Sequence, residues 1–309
     1  MTRVYVHDVA VRDGFQIEPA FVPTDVKIAL IDELSATGLA KIEATAFVSP
    51  KAVPNLRDAE AVMRGIRRVP GVIYSALVPN AKGAERAVSC EVDEINLVVS
   101  ASETHNRANV NRTTEQSLSG FRDVMSILHG TGVAVNGSIS TTFGCPFEGS
   151  IPETRVFHCV ERYLELGMDG ITLADTTGMA HPKQVRELTR AVLARFPTAE
   201  ITLHFHNTRA MGLANVLAGL EAGVVRYDGS LGGLGGCPFA PGATGNICTE
   251  DLVHMLEAMG YQTGVDLDKL LVAARRLPDI VGHDLPGQVA KAGKITDLHD
   301  AGVPKTPIF

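Results

Sequence analysis

The chain has 309 residues, 45% hydrophobic and 20% charged, a balance that excludes a wholly disordered or fibrous protein and a length that one large barrel can occupy. A net charge of -7 offers no basic surface for nucleic acid. Five cysteines without regular spacing do not form a disulfide framework, and Met1 leads into Val4-Tyr5-Val6 with neither a basic leader nor an apolar secretory core, so a cytoplasmic chain without a membrane partner is expected.

Eight strands are predicted, at residues 4–11, 41–47, 72–78, 94–99, 133–140, 170–173, 201–205 and 224–228. Each precedes a segment of helical periodicity: 25–37, 57–69, 82–89, 114–130, 152–167, 182–195, 209–223 and 249–260. Gly38, Gly132, Gly167 and Gly223 fall where a helix turns back into a strand. Thr24-Asp25, Thr113 and Pro152 mark helix starts. Eight strand-helix units, without a dinucleotide glycine signature after the first strand, predict a closed (β/α)8 TIM barrel rather than an open doubly wound sheet. A further helix at 267–277 completes a catalytic unit of residues 1–277, and 278–309 forms a C-terminal extension.

In such a barrel the chemistry gathers at the carboxyl ends of the strands. The first strand ends in Arg12-Asp13-Gly14-Phe15-Gln16, which reads either as a surface ion pair or as a cation and an anion at the mouth. Glu43 stands in an apolar strand, where an unpaired carboxylate is costly, and Arg12 is its candidate partner. His204 and His206 are two apart on strand seven and so share a face, with Phe205 turned toward the helices. Asp13 and Asn246 could add oxygen ligands, and this mixed set suits Mg2+, Mn2+ or another first-row divalent ion better than structural zinc. Residues 232–246 form a glycine-dense loop around Cys237 that lacks the lysine of a phosphate loop. Cys145, after strand five, competes with Cys237 as a reactive thiol, whereas Cys90, Cys159 and Cys248 read as fillers.

Together, Arg12 to Gln16, Ile42-Glu43-Ala44-Thr45-Ala46-Phe47-Val48-Ser49-Pro50-Lys51, Gly144-Cys145-Pro146-Phe147-Glu148-Gly149, His204-Phe205-His206 and the Gly232–Asn246 loop resemble the 3-hydroxy-3-methylglutaryl-CoA lyase family, over about Asp8 to Leu277. The resemblance implies a metal-dependent retro-Claisen cleavage of an acyl-CoA, giving acetyl-CoA and acetoacetate from the parent substrate. It implies a divalent cation at Asp13, His204, His206 and Asn246, an enolate-stabilising Arg12, a supporting Glu43, a catalytic thiol at Cys237 and an acidic active-site residue at Asp175. His204 or His206 could also carry a proton. Gln16, Ala46, Ser138 and Arg209 would surround the acyl group, and a homo-oligomer, foremost a dimer, is expected. The family usually has Ser at 46, Tyr at 138, Asp at 207 and Tyr at 209, so Ala46 and Ser138 predict a wider, less polar acyl pocket that accepts a larger C3 substituent. A sister lyase for another branched 3-hydroxyacyl-CoA, an enzyme condensing acetyl-CoA with a 2-oxo acid, and a barrel that only binds CoA or metal are the competing readings.

Overall fold

Hydrogen bonding carries each strand to its neighbour in chain order until the last returns to the first. The structure, a computed structural model, describes residues 2–236 and 245–298. Its eight parallel strands are β1 (Tyr5–Asp8), β2 (Lys41–Ala46), β3 (Ile73–Leu77), β4 (Glu94–Ser100), β5 (Ala134–Ser140), β6 (Gly170–Asp175), β7 (Glu200–Phe205) and β8 (Arg226–Gly229), closed into a barrel. Tyr5 pairs with Arg226 and Asp8 with Gly229 at the closure. The crossover helices are α1 (Thr24–Ser35), α2 (Ala59–Gly65), α3 (Ala81–Val88), α4 (Glu103–Val110), α5 (Thr114–Leu128), α6 (Glu153–Glu165), α7 (Pro182–Arg195), α8 (Gly212–Ala222) and α9 (Thr249–Ala258). Beyond them lie α10 (Leu267–Val281) and α11 (Val289–Ala292).

The period of two along each strand divides the molecule. Ile95, Leu97 and Val99 of β4, Ile171 and Leu173 of β6, and Leu203 and Phe205 of β7 join the apolar core with Val156 and Val160 of α6 and Val185, Leu188 and Val192 of α7. Burying each such side chain stabilises the fold by about 1.5–3 kcal/mol. The alternate residues, among them Asn96, Ser138, Thr172 and His204, face the inside of the barrel. The core is therefore a shell between sheet and helices, and the barrel interior is left for polar groups.

Local signals agree with the element ends in most places. Thr113 and Gln116 close a capping box on α5, and Gly223 ends α8 at φ 104, a conformation an L side chain resists. Several boundaries differ from the sequence reading: α2 ends at Gly65 rather than 69, α8 begins at Gly212 rather than 209 and β8 at Arg226 rather than 224, and two differences shape the site and the tail. β1 stops at Asp8, and the apolar run that extends the predicted strand to Val11 instead enters a π-type turn, Ala10–Gly14. There the Asp13 and Gly14 amides both donate to the Val9 carbonyl, at 2.7 and 3.4 Å. α10 continues through Pro278 to Val281, and the chain after it returns with Leu285 and Val289 buried and with Asp251 accepting from the Gln288 and Val289 amides. α4, absent from the predicted elements, is capped by Ser102, whose hydroxyl accepts from the His105 amide. Among the described residues no helix is long and apolar enough to cross a membrane.

Candidate active site

The π-type turn after β1 carries both Arg12 and Asp13, and both line the mouth. Arg12 Nε donates to Glu43 Oε2 at 2.5 Å, and an η nitrogen donates to Asp13 Oδ1 at 2.7 Å. All three side chains are buried. Burial alone would push the guanidinium toward neutrality, but Glu43 and then Asp13 outweigh it and hold Arg12 charged. For Asp13 burial works upward, yet Arg12, then His206, keeps the carboxyl below its ordinary value. Glu43 stays above its ordinary value, since burial exceeds the help from Arg12. Glu43 Oε1 accepts from Asn96 Nδ2 at 3.0 Å, and Gln16 donates to Asp13 Oδ1 at 2.9 Å.

Across the barrel, β7 turns His204 and His206 inward and Phe205 outward, with the Phe205 and Phe143 ring centroids 5.9 Å apart. One ligand atom from each of Asp13, His204 and His206 lies within 4.8 Å of the other two. Asn246 donates to Asp13 Oδ2 at 2.8 Å and to the Leu234 carbonyl at 2.9 Å. His206 Nε2 stands 4.0 Å from Asp13 Oδ2, and among the described residues Asn246 Oδ1 is buried without a hydrogen-bond partner. An imidazole nitrogen facing a carboxylate, with an unpaired buried amide oxygen beside them, makes a donor set that fits a hard or borderline divalent cation. Gly235 crosses this group at φ 104, and a Cβ there would sit 2.5 Å from Asn246 Nδ2 and 3.0 Å from Asp13 Oδ2, so only glycine lets the loop come so close.

The two imidazoles are electrically unlike. Burial, then the neighbouring His204, pushes His206 down to about 3. Burial acts the same way on His204, but Asp228 reverses it and raises that ring. Asp228 Oδ2 lies 3.2 Å from His204 Nδ1, and its Oδ1 lies 2.9 Å from His7 Nδ1. Despite burial, these two histidines hold Asp228 well below the usual carboxylate range. Neither His7 nor Asp228 was singled out by motif; the signal available in sequence was only an inward polar residue on β1 and another on β8.

A cavity of about 880 Å³ joins these groups, running from Ser49, Pro54 and Arg112 at the mouth past Arg12 and His204 to Lys41 and Glu94. Gln16 and Ser138 line it. Ser138 does not leave an apolar wall, however, because its hydroxyl donates to Asn96 Oδ1 at 2.7 Å. Ala46 is buried at the end of β2 and adds nothing to the cavity wall, whose β2 part is Lys41 and Glu43. Asp175 follows the outward face of β6: its Oδ1 accepts from the Met179 and Ala180 amides, its Oδ2 has no partner among the described residues, and burial raises it to about 6. Arg209 donates to the Thr177 and Gly178 carbonyls at 3.2 and 2.8 Å, tying the loop after β7 to the loop after β6. Asn207 accepts from the Gly212 amide. Of the two candidate thiols, Cys145 is fully buried and donates to Ser102 Oγ at 3.0 Å. Cys237 lies outside the described residues.

Residues 3–277 match the family model described as HMGL-like. Hydroxymethylglutaryl-CoA lyase YngG of Bacillus subtilis is 46% identical over 286 residues, 93% of this chain and 96% of that protein. The human mitochondrial hydroxymethylglutaryl-CoA lyase is 41% identical over 290 residues, 94% of this chain and 89% of that protein. A solved HMG-CoA lyase from Acinetobacter baumannii, in complex with coenzyme A and 3-methylmalate, superposes with a TM-score of 0.93 at 56% identity, covering 97% of this chain and 98% of that one.

Proposed function

The chain belongs to the HMGL-like family, and from that premise we propose that it cleaves a 3-hydroxy-3-methylglutaryl-CoA-like thioester by a divalent-metal-dependent retro-Claisen reaction. The products are acetyl-CoA and a keto acid, acetoacetate for the parent substrate. The observation that carries this reading is the buried Arg12, clamped by Glu43 and by an Asp13 that also faces His204 and His206. The coenzyme A and hydroxy diacid bound by the Acinetobacter neighbour support a CoA thioester in the corresponding cavity.

The reaction moves the C3 hydroxyl proton to solvent in the cavity, breaks the C2–C3 bond as C3 becomes a ketone, and shifts the bonding pair onto the thioester as an enolate that takes up a proton at C2, so that no net proton is gained or lost. Asp13, His204, His206 and Asn246 would hold a divalent cation, Mg2+ or Mn2+, which would supply Lewis-acid charge at the oxygen end of the substrate. Arg12 serves the opposite end. Its guanidinium is already oriented by Glu43 and Asp13, so little reorganisation is needed when negative charge appears on the thioester oxygen. Charge that develops only along the reaction makes this contact selective for the transition state. Cys237 delivers the proton to C2; in support, Gly236, its sequence neighbour, lines the cavity. Gln16 steadies Asp13, and Arg209 fixes the two mouth loops above β6 and β7. The free, buried Cys90, Cys145, Cys159 and Cys248 support a reducing, cytoplasmic setting.

Purified protein with Mg2+ and 3-hydroxy-3-methylglutaryl-CoA should yield equimolar acetyl-CoA and acetoacetate by mass spectrometry. Absence of both products refutes the lyase reading. Full turnover after exhaustive chelation, checked by elemental analysis, refutes its metal dependence.

A further inference from the structure

Barrels of this type ordinarily fill their interior with layers of branched apolar side chains. Here Ser75 of β3, Asn96 of β4, Asn136 and Ser138 of β5 and Thr172 of β6 line the cavity instead. Thr172 is one inward position before Ala174, which pairs with His204, so this polar wall lies deeper in the barrel than the metal-binding side chains. Its groups are joined in series. Asn136 Nδ2 donates to Thr172 Oγ1 and to Asn96 Oδ1, each at 3.0 Å, and Asn96 passes the order on to Glu43 at 3.0 Å.

Three features limit what can occupy this space. The cavity continues past the reacting groups, so a methyl at C3 leaves the deep part to water. A plain alkyl branch would displace that water from hydroxyls and amides. The gain per buried methylene is smaller than the loss from one buried hydroxyl stripped of its partner. In the deep part, below Arg112 at the mouth, an anionic branch finds no free cation among the described residues: Arg12 is paired with Glu43 and Asp13, and Lys41 donates to both Glu94 oxygens at 2.6 and 2.7 Å. By contrast, Ser75 presents a hydroxyl to the cavity without a hydrogen bond to any described residue. Asn136 Oδ1 receives only a long contact from Thr172, at 3.4 Å.

Resting on the lyase reading above, we infer that the preferred substrate carries at C3 a branch longer than methyl that enters the barrel interior and ends in an uncharged hydrogen-bonding group such as a hydroxyl. The wall formed by Ser75, Asn136, Ser138 and Thr172 reads that group. Arg12 and the metal-binding side chains act on the carbons above it, so the branch changes selection without changing the bond that breaks.

The test compares kcat/KM for four CoA thioesters of 3-hydroxyglutarate, substituted at C3 with methyl, propyl, 2-hydroxyethyl or carboxymethyl, using the metal-loaded full chain. The 2-hydroxyethyl substrate should exceed the nearly isosteric propyl one by about tenfold or more, and should also exceed the methyl and carboxymethyl ones. Thr172→Val should shrink the hydroxyethyl-to-propyl ratio severalfold, and Thr172→Ser, which restores the hydroxyl, should recover it. A wild type that cleaves the methyl or propyl substrate as well as the hydroxyethyl one overturns the inference while leaving the lyase reading intact. A ratio unmoved by Thr172→Val also overturns it. Failure to cleave any of the four rejects the lyase reading and this inference with it.

Discussion

Replacing Asp228 by Asn keeps the size and shape of the side chain on β8 but removes the charge that stands between His7 and His204. In the structure Asp228 accepts from both imidazoles, at 2.9 Å from His7 and 3.2 Å from His204. Burial disfavours charge on His204 most strongly, and Asp228 is the largest of the groups that offset it, with Asp13 adding to it. A carboxylate behind a metal-binding histidine fixes the ring and makes it a better donor, and losing such a partner typically costs about 10- to 100-fold in metal affinity. The 3.2 Å separation is longer than a tight charge-assisted bond, about 2.7–2.9 Å, which places the expected loss near the lower end, about tenfold or roughly 1.4 kcal/mol. His7→Phe should have a smaller effect in the same direction, because Asp228 would retain its bond to His204. The assay is direct titration of metal-free protein with Mn2+, followed by electron paramagnetic resonance, with thermal unfolding in chelator to confirm that the barrel is intact. A folded Asp228→Asn protein that binds Mn2+ within twofold of wild type would falsify the assignment of Asp228 as the group that orients His204.

Cys237→Ala should lower kcat by about 10^2 to 10^4 if the thiol is the proton donor, whereas Cys145→Ala, which removes only a packed thiol bonded to Ser102, should keep turnover; the opposite pattern in steady-state kinetics identifies the wrong thiol. Glu43→Ala leaves Arg12 buried beside one carboxylate instead of two and should destabilise the fold by roughly 3–5 kcal/mol, read by urea unfolding, with a loss of no more than 1 kcal/mol counting against the buried clamp. Burial raises Glu250 to about 8 from an ordinary 4.5, and the Gly232 amide donates to its Oε2 at 3.0 Å. Because the folded value is the higher one, this residue's contribution is fully present below about pH 4.5 and is lost as pH rises through about 8. The loss is on the order of a few kcal/mol, so Glu250→Gln should flatten the fall in unfolding free energy between pH 5 and 8, and an unchanged slope would show that the buried carboxyl is not its source.

The alternation of short apolar strands and amphipathic helices made the barrel legible, since eight units leave few ways to cover both edges of a parallel sheet. Boundaries failed where two conformations use the same residues. Val9, Ala10 and Val11 are apolar enough for a strand and equally suited to a buried π-type turn, and only the hydrogen bonds from Asp13 and Gly14 back to Val9 decide between them. α4 was hidden for the reverse reason: Glu103, Thr104, His105, Asn106 and Arg107 carry no apolar stripe, and Ser102 as a cap was the one local sign of a helix.

Site residues that act as neighbours in sequence were readable, and those that act through register were not. Arg12 with Asp13, and His204 with His206, follow from one turn and one strand. Asn96 beside Asn136, and His204 beside Asp228, follow from pairing across strands that are far apart in the chain. No periodicity states that register, so a mid-strand Asn reads singly as a weak point in a strand rather than as one link in a wall. Position 138 shows the consequence. Taken alone, Ser in place of Tyr subtracts volume and suggests a barer pocket, whereas in register with Asn96 and Asn136 it contributes a hydroxyl to a bonded series. The apolar shell outside the sheet supplies the burial that stabilises the fold, so the interior polar groups are free to vary with the substrate. That freedom ends at Asn96, because its amide also holds Glu43, and through Glu43 the guanidinium of Arg12.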